Sequence, residues 1–239
     1  MQKAFDCSDL LIFISKAVKK SFEKKFKIEN KRKAIIYNGI NEKFFAETKI
    51  KRNEGDYKKN IIFVGRLSYV KGVDILIKAF KEVEKRNNNI GLTIVGDGED
   101  REKLINLSKK LNISDKVKFV GRQSNVIQWL DNADIFVYPS IWEEGFGISV
   151  VEAMARGCIP IVSNRGGLAE IVKNGKNGIV FNKNDSKELA SAIEKILNMD
   201  NEEKKKIILE AIATSKKFSI NSTLENLKKQ YYEIIHTEK

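Results

Sequence analysis

Two glutamates, Glu144 and Glu152, stand eight residues apart in the segment Pro139-Ser140-Ile141-Trp142-Glu143-Glu144-Gly145-Phe146-Gly147-Ile148-Ser149-Val150-Val151-Glu152. On one continuous helix they would lie about 80° apart in azimuth and about 12 Å apart along the axis. They can share a ligand only if Glu144 sits in a loop and Glu152 on the early helix, and Gly145 and Gly147 permit that break. A carboxylate accepts hydrogen bonds from sugar hydroxyls, often two at once. A helix starting at Ile148 would aim the free Ile148 and Ser149 amides at an anion, a phosphate above all. On the residues alone, Glu144 is either such a ligand or a helix cap, Glu152 either a ligand or an exposed charge, and Phe146 either part of the site or core filler.

A second constellation is Gly65-Arg66-Leu67 followed by Lys71-Gly72. A planar guanidinium and a mobile ammonium at one strand–helix turn suit a diphosphate, or are simply two solvated cations. Gly166-Gly167-Leu168-Ala169-Glu170 marks another glycine turn. Glu170 is a ligand group or, in the plainer reading, a first-turn helix charge. Val95-Gly96-Asp97-Gly98-Glu99 lacks the third glycine of a dinucleotide fingerprint, and no P-loop occurs. Nicotinamide and P-loop chemistry are thereby disfavoured. The single histidine, His236, lies near the end of the sequence, so an internal histidine base would have to be borrowed.

These residues need strands to carry them. Compact apolar runs occur at Asn60–Gly65, Leu92–Gly96, Lys116–Gly121, Asp134–Pro139, Ile159–Ser163 and Gly178–Phe181. They suit strands covered on both faces. Between them, Val73, Leu76, Ile77, Phe80 and Val83 follow helical spacing, as do Leu104, Leu107 and Leu111, then Val150, Val151, Met154 and Ala155, then Leu189, Ile193, Ile196 and Leu197. Gly157 suits the left-handed residue that ends a helix. This alternation predicts an α/β, doubly wound parallel sheet, whose ligands bind at the carboxyl ends of the strands. Ahead of it, Leu10–Ser15 and Ala34–Tyr37 read as strands, Lys16–Phe26 as a basic helix with Val18, Phe22 and Phe26 on one side, and Asn38-Gly39 as a turn. Ala46–Lys59 reads as a loop and Ser222–Ile235 as a closing amphipathic helix. Two strands and a helix cannot close a core alone, so the first forty residues look like the edge of something larger.

The 239 residues carry 44 Lys+Arg against 32 Asp+Glu, a net charge of +12. Ten Lys/Arg and four Asp/Glu fall within residues 1–33, so half the excess sits there. The imbalance suits phosphate-bearing partners without choosing among them. Cys7 and Cys158 are far apart, which argues against a disulfide scaffold and a zinc site. The five apolar residues Leu10–Ile14 are too short for a signal or a membrane span, and a cytoplasmic protein is expected.

Taken in order, these motifs resemble the retaining glycosyltransferases of family 4, whose GT-B fold faces two Rossmann-like domains. Gly65-Arg66-Leu67 with Lys71-Gly72 matches the G-R-L…K-G element, and Glu144 to Glu152 matches E-x7-E in its E-G-F-G form. Val95-Gly96-Asp97-Gly98, Phe119-Val120-Gly121, Glu152-Ala153-Met154-Ala155 and Gly166-Gly167-x-x-Glu170 match in the same order, from about residue 10 onward. The resemblance implies transfer of a hexose from a nucleoside diphosphate sugar, with retention, to a glycan or lipid-linked acceptor of cell-surface polysaccharide synthesis. It implies Arg66 and Lys71 on the diphosphate and Glu144 with the Phe146-Gly147 backbone on the sugar. Glu152 would take the ribose, Val120, Gly121 and Arg122 the base, and the Ile148 and Ser149 amides the phosphates; Gly65, Gly96 and Gly145 count with them as donor-binding residues. Neither metal nor cofactor is expected, because the two cations and the helix end stabilise the leaving diphosphate.

It further implies three parts: residues 1–37 as a remnant of the N-terminal Rossmann-like domain, 38–220 as the donor domain, and 221–239 as a helix crossing back. Most of the acceptor domain has no counterpart here. The chain is therefore expected to expose apolar surface on residues 1–37 and the last helix, and to meet a partner chain or itself. A donor-binding subunit served by a separate acceptor chain is the alternative reading. The basic helix Lys16–Lys27 suits peripheral contact with an anionic membrane; no nucleic acid is expected.

Overall fold

The computed structural model describes residues 2–46, 59–182 and 185–237. Six strands form one wholly parallel sheet: β3 (Lys59–Val64), β4 (Ile90–Val95), β5 (Val117–Gly121), β6 (Ile135–Tyr138), β7 (Ile159–Ser163) and β8 (Ile179–Phe181). Their spatial order is β5-β4-β3-β6-β7-β8. The chain builds outward from β3 to β5, then returns to start β6 on the other side of β3. The switch point thus lies between β3 and β6, and a crevice opens there at their carboxyl ends. Every residue of β6 and β7 is buried, as strands covered by helices on both faces require. Pro160 is tolerated in β7 because the β7–β8 ladder begins one residue later, at Ile161 opposite Ile179.

Helices α3 (Val73–Glu84), α4 (Arg101–Lys110), α5 (Ile127–Asp131), α6 (Ile148–Ala155), α7 (Leu168–Ile171), α8 (Ser186–Asn198) and α9 (Asn201–Ser215) connect and cover the strands. Their apolar faces, such as Leu76, Ile77 and Phe80 of α3 and Leu189 and Ile193 of α8, enter one core with the sheet. The expected doubly wound sheet is therefore present, with all six anticipated strands. Helix α9 was not anticipated between Asn198 and the closing helix. The expected loop Ala46–Lys59 lies mostly outside the described residues; Lys59 itself opens β3.

The N-terminal segment forms α1 (Gln2–Asp6), β1 (Leu10–Phe13), α2 (Lys16–Glu23) and β2 (Arg32–Ile35). Strands β1 and β2 pair in parallel as a separate two-stranded sheet. Leu11, Phe13 and Ile28 make a small core of their own, flanked by Phe5, Val18, Phe22 and Phe26. Helix α2 stops three residues earlier than expected, and β2 begins and ends two residues earlier. Asn38-Gly39 is not a turn: the stretch is irregular, and Gly39 is where the closing helix α10 (Ile220–Thr237) presses in. A Cβ on Gly39 would lie 2.5 Å from the Ile220 Cα. Beside it Ile40 bridges Ser219, with Ile40 N–H donating to the Phe218 carbonyl and Ile220 N–H to the Ile40 carbonyl, both at 2.9 Å. Arg32 on β2 pairs with Glu233 on α10. The anticipated apolar exposure is seen at Ile12 and along α10 at Leu224, Tyr231, Tyr232 and Ile235.

Candidate active site

The loops that leave β3 and β6 at the switch point carry the charged residues singled out above. After β3 the chain passes Gly65 and Arg66 into a short 3-10 turn, Tyr69–Lys71. After β6 it enters Pro139–Gly147 before α6 begins. The two loops are tied together: Ile141 N–H donates to the Val70 carbonyl at 3.0 Å. This seam brings Lys71 and Glu144 together, with Nζ 2.6 Å from Oε1. The lysine also reaches the Tyr138 hydroxyl at 3.0 Å. Ser140, fully buried, donates to the same Glu144 Oε1 at 2.6 Å. Among the described residues Glu144 Oε2 accepts nothing, so one edge of the carboxylate remains for a hydroxyl donor.

Burial favours the neutral amine of Lys71, but its bonds and charge interactions with Glu144 and Tyr138 outweigh that, and its pKa stands above the ordinary lysine value. Burial also raises the Tyr138 phenol, with the Glu144 charge adding to it. Lys71 is thus an ammonium and Tyr138 a neutral phenol at neutral pH. A phosphate that took the lysine would leave Glu144 free to turn toward a sugar.

Arg66 is not brought to this cluster. It stands at the rim, 72% exposed, with Nη2 3.1 Å from Glu99 Oε2. Gly96 lies between, with φ +138°, and a Cβ there would sit 1.8 Å from the Gly65 carbonyl oxygen. Only glycine allows the β3 and β4 exits to run this close. At the β5 end, the Val120 carbonyl is capped by Gln123 at 2.7 Å, Gly121 adopts φ +69°, and Arg122 is exposed.

Helix α6 begins where the sequence suggested, behind Gly147 with φ +112°. The Ile148 and Ser149 amides have no acceptor among the described residues. Glu152 lies on the first turns of α6, half-buried and without a hydrogen bond among the described residues. Burial pushes its carboxyl up to about 7, against the opposing pull of Lys43. Lys43 reaches this neighbourhood in the turn Glu42–Phe45, whose end is held by buried Arg156 donating to the Phe44 and Ala46 carbonyls. Neither Lys43 nor Arg156 was singled out from the sequence, since both act from distant segments.

Three residues of the glycine loops make contacts within the protein. On the side where a Cβ would stand, Gly145 faces the N-terminal segment, and a Cβ would meet Ile14 Cδ1 at 3.2 Å. Phe146 is core filler by side chain, 3% exposed and packed on Tyr37 and Phe218, so only its backbone can face the crevice. Glu170 lies in the first turn of α7, as the plainer reading has it, and also binds the N-terminal segment. Among the described residues no cluster of His, Cys, Asp and Glu could hold a metal ion, and no helix is long and apolar enough to cross a membrane.

A doubly wound α/β sheet with a helix end and an ion pair at its switch point defines a Rossmann-like protein. Residues 44–213 match the family described as glycosyl transferases group 1, and the chain belongs to that family. An uncharacterized glycosyltransferase of Methanocaldococcus jannaschii is 36% identical over 230 residues, covering 95% of this chain and 60% of its own length. A glycogen synthase of Mycobacterium tuberculosis is 35% identical over 140 residues, covering 58% of this chain and 34% of its own. The chain thus spans well under two-thirds of these relatives. Among solved structures, Anabaena HepE in complex with UDP and glucose superposes with a TM-score of 0.84 at 25% identity, covering 96% of this chain and 64% of that one. Sucrose-phosphate synthase of Thermosynechococcus elongatus has the same fold, with a TM-score of 0.84 at 23% identity. The fold is the Rossmann-like GT-B type.

Proposed function

We propose that the chain carries the donor site of a retaining, family 4-like hexosyltransferase, taking a nucleoside diphosphate sugar. The Lys71–Glu144 pair at the switch point carries this reading. Lys71 and Arg66 would meet the diphosphate together with the Ile148 and Ser149 amides. Glu144 would hold the sugar by the edge that accepts nothing now. Glu152 would receive the ribose hydroxyls, and Val120 to Arg122 the base. The leaving diphosphate would then be stabilised by two cations and a helix end without a metal. The solved relative holding UDP and glucose supports a uridine donor as the first probe.

The parts follow from the same reading: residues 1–37 as the edge of the acceptor-side domain, 38–220 as the donor domain and 221–239 as the helix returning to that edge. The apolar stripe along α10 favours a second reading, in which a separate chain supplies the acceptor side. Exposed Lys20, Lys24 and Lys25 on and just after α2 suit an anionic membrane bearing a lipid-linked or glycan acceptor.

The test is titration calorimetry with UDP, GDP, ADP and their glucose forms on wild type and Glu144→Gln. One nucleotide family should bind, and Glu144→Gln should weaken the sugar form at least fivefold more than the bare nucleotide. Absence of binding in a folded sample, or equal losses for both ligands, would overturn the reading.

A further inference from the structure

Glu170 joins parts of the chain that the sequence keeps far apart. Its Oε2 accepts from the Lys16 amide at 3.0 Å and its Oε1 from the Ala17 amide at 2.8 Å. The next amide, of Val18, is satisfied by the Ser15 hydroxyl at 3.1 Å. The first turn of α2 is therefore capped jointly by its own serine and by a carboxylate from α7. Oε2 accepts a third bond, from the Tyr37 hydroxyl at 2.9 Å. One carboxylate thus grips the N-terminal segment at both of its inner ends, after β1 and after β2.

What that grip presses on is the loop carrying Glu144. Tyr37 packs its ring on Phe146 at 5.9 Å between centroids and on Phe218 at 5.3 Å. Ile14 and Val18, flanking the capped turn, close on the Gly145 Cα. From the other side the Gly166-Gly167 turn supports the same loop, with Gly167 N–H donating to the Glu144 carbonyl at 2.7 Å and Gly166 N–H to the Glu143 carboxylate at 2.7 Å. Gly166 has φ +55°, and a Cβ there would strike the Glu144 carbonyl oxygen at 2.1 Å. Glu170 follows this turn by one helical turn, so the support and the grip share one short element. Burial and the Glu170 charge push the Tyr37 phenol up to about 12, so Tyr37 stays a donor across the physiological range.

We propose that Glu170 is a positioning residue for the donor sugar, clamping the N-terminal segment onto the Glu144–Gly147 loop so that the Glu144 carboxylate is held where the sugar arrives. The proposal rests on the donor-site reading above. It predicts that the sugar half of the donor depends on Glu170 more than the nucleotide half does, because the clamp touches the Glu144 loop directly, while Arg66 lies outside it and Lys71 meets it only through Glu144.

Hydrogen exchange and calorimetry on wild type, Glu170→Ala, Glu170→Gln and Tyr37→Phe test it. In exchange measurements without ligand, Glu170→Ala should deprotect residues 15–20 and 143–149 together by tenfold or more, while β3 and β6 keep wild-type protection and so report an intact fold. Tyr37→Phe, which keeps the ring packing, should show a smaller effect on both segments. Deprotection confined to α2 would overturn the proposal, since the clamp would then end at the helix it caps. In calorimetry, UDP-glucose affinity should fall at least fivefold more than UDP affinity in Glu170→Ala. Glu170→Gln, keeping one acceptor oxygen, should fall between. Unchanged UDP-glucose affinity, or equal losses for UDP and UDP-glucose, would sink the assignment to Glu170 alone. Wild type that binds no nucleotide would instead sink the donor-site reading, and the sugar role with it.

Discussion

Glu152 permits the electrostatics of the site to be measured apart from any reaction. Its carboxyl is raised from 4.5 to about 7 by burial on α6. A rise of that size corresponds to about 3 kcal/mol of preference for the protonated form. The folded-state value lies above the unfolded one, so the folded chain holds the extra proton between them. The stability this confers is fully present below about pH 4.5 and is lost as pH rises through about 7. Between pH 5 and pH 8 the loss comes to about 2.5 kcal/mol. Glu152→Gln keeps the shape and removes the titration. Urea unfolding of both chains at pH 5 and pH 8 gives a double difference from which every shared titrating group cancels. Relative to Glu152→Gln, wild type should lose about 2–3 kcal/mol on going to pH 8. If ribose hydroxyls donate to this carboxylate, saturating nucleotide should shrink that difference, because the ligand replaces the lost water. Identical pH dependence in the two chains would refute the argument that desolvation governs Glu152.

The remaining expectations concern the rim. Arg66→Ala removes only an exposed ion pair with Glu99, so the unfolding free energy should change by less than about 0.5 kcal/mol. Its nucleotide diphosphate affinity should nonetheless fall about tenfold to a hundredfold, as a lost charge-assisted contact would give; calorimetry beside a melting curve separates the two. Gly96→Ala places a Cβ on the Gly65 carbonyl at a positive φ, and should cost about 3 kcal/mol or more, read as a lowered melting temperature. A Gly96→Ala chain that melts like wild type would mean that the β3 and β4 exits can separate freely.

The sheet was legible because its inner strands are largely buried and the strands read as short apolar runs, five of the six ending at a glycine, proline or serine. Helix α9 was not, because its buried positions are few. Ile207, Ile208 and Ala211 face the core amid a row of lysines and glutamates. Its clearest local sign is Asp200, whose side chain accepts from the Glu203 amide at 2.7 Å. In the candidate site, residue types and glycine spacing marked the loops, and the fold brings those loops together. The direct Lys71–Glu144 pair was not legible, since it depends on the Val70–Ile141 seam between two strands far apart in sequence. Gly145 has a neighbour that the sequence does not show: Ile14 stands where its Cβ would be. Glu170 fell to the plainer reading because nothing near it in sequence needs a carboxylate; its partners are the amides of a helix 154 residues earlier.

That separation also bears on synthesis. Residues 2–35 are synthesised before the large sheet, but Glu170 arrives 154 residues after Lys16, and Glu233 arrives 201 residues after Arg32. At ordinary translation speeds the wait is roughly 10–30 s. Throughout it the Phe5, Phe22 and Phe26 cluster can pack on β1 and β2 but lacks the α7 and α10 contacts that fasten the segment, whereas β3 to β8 can close as each helix is completed. For this segment the order of emergence is thus the reverse of the order of attachment.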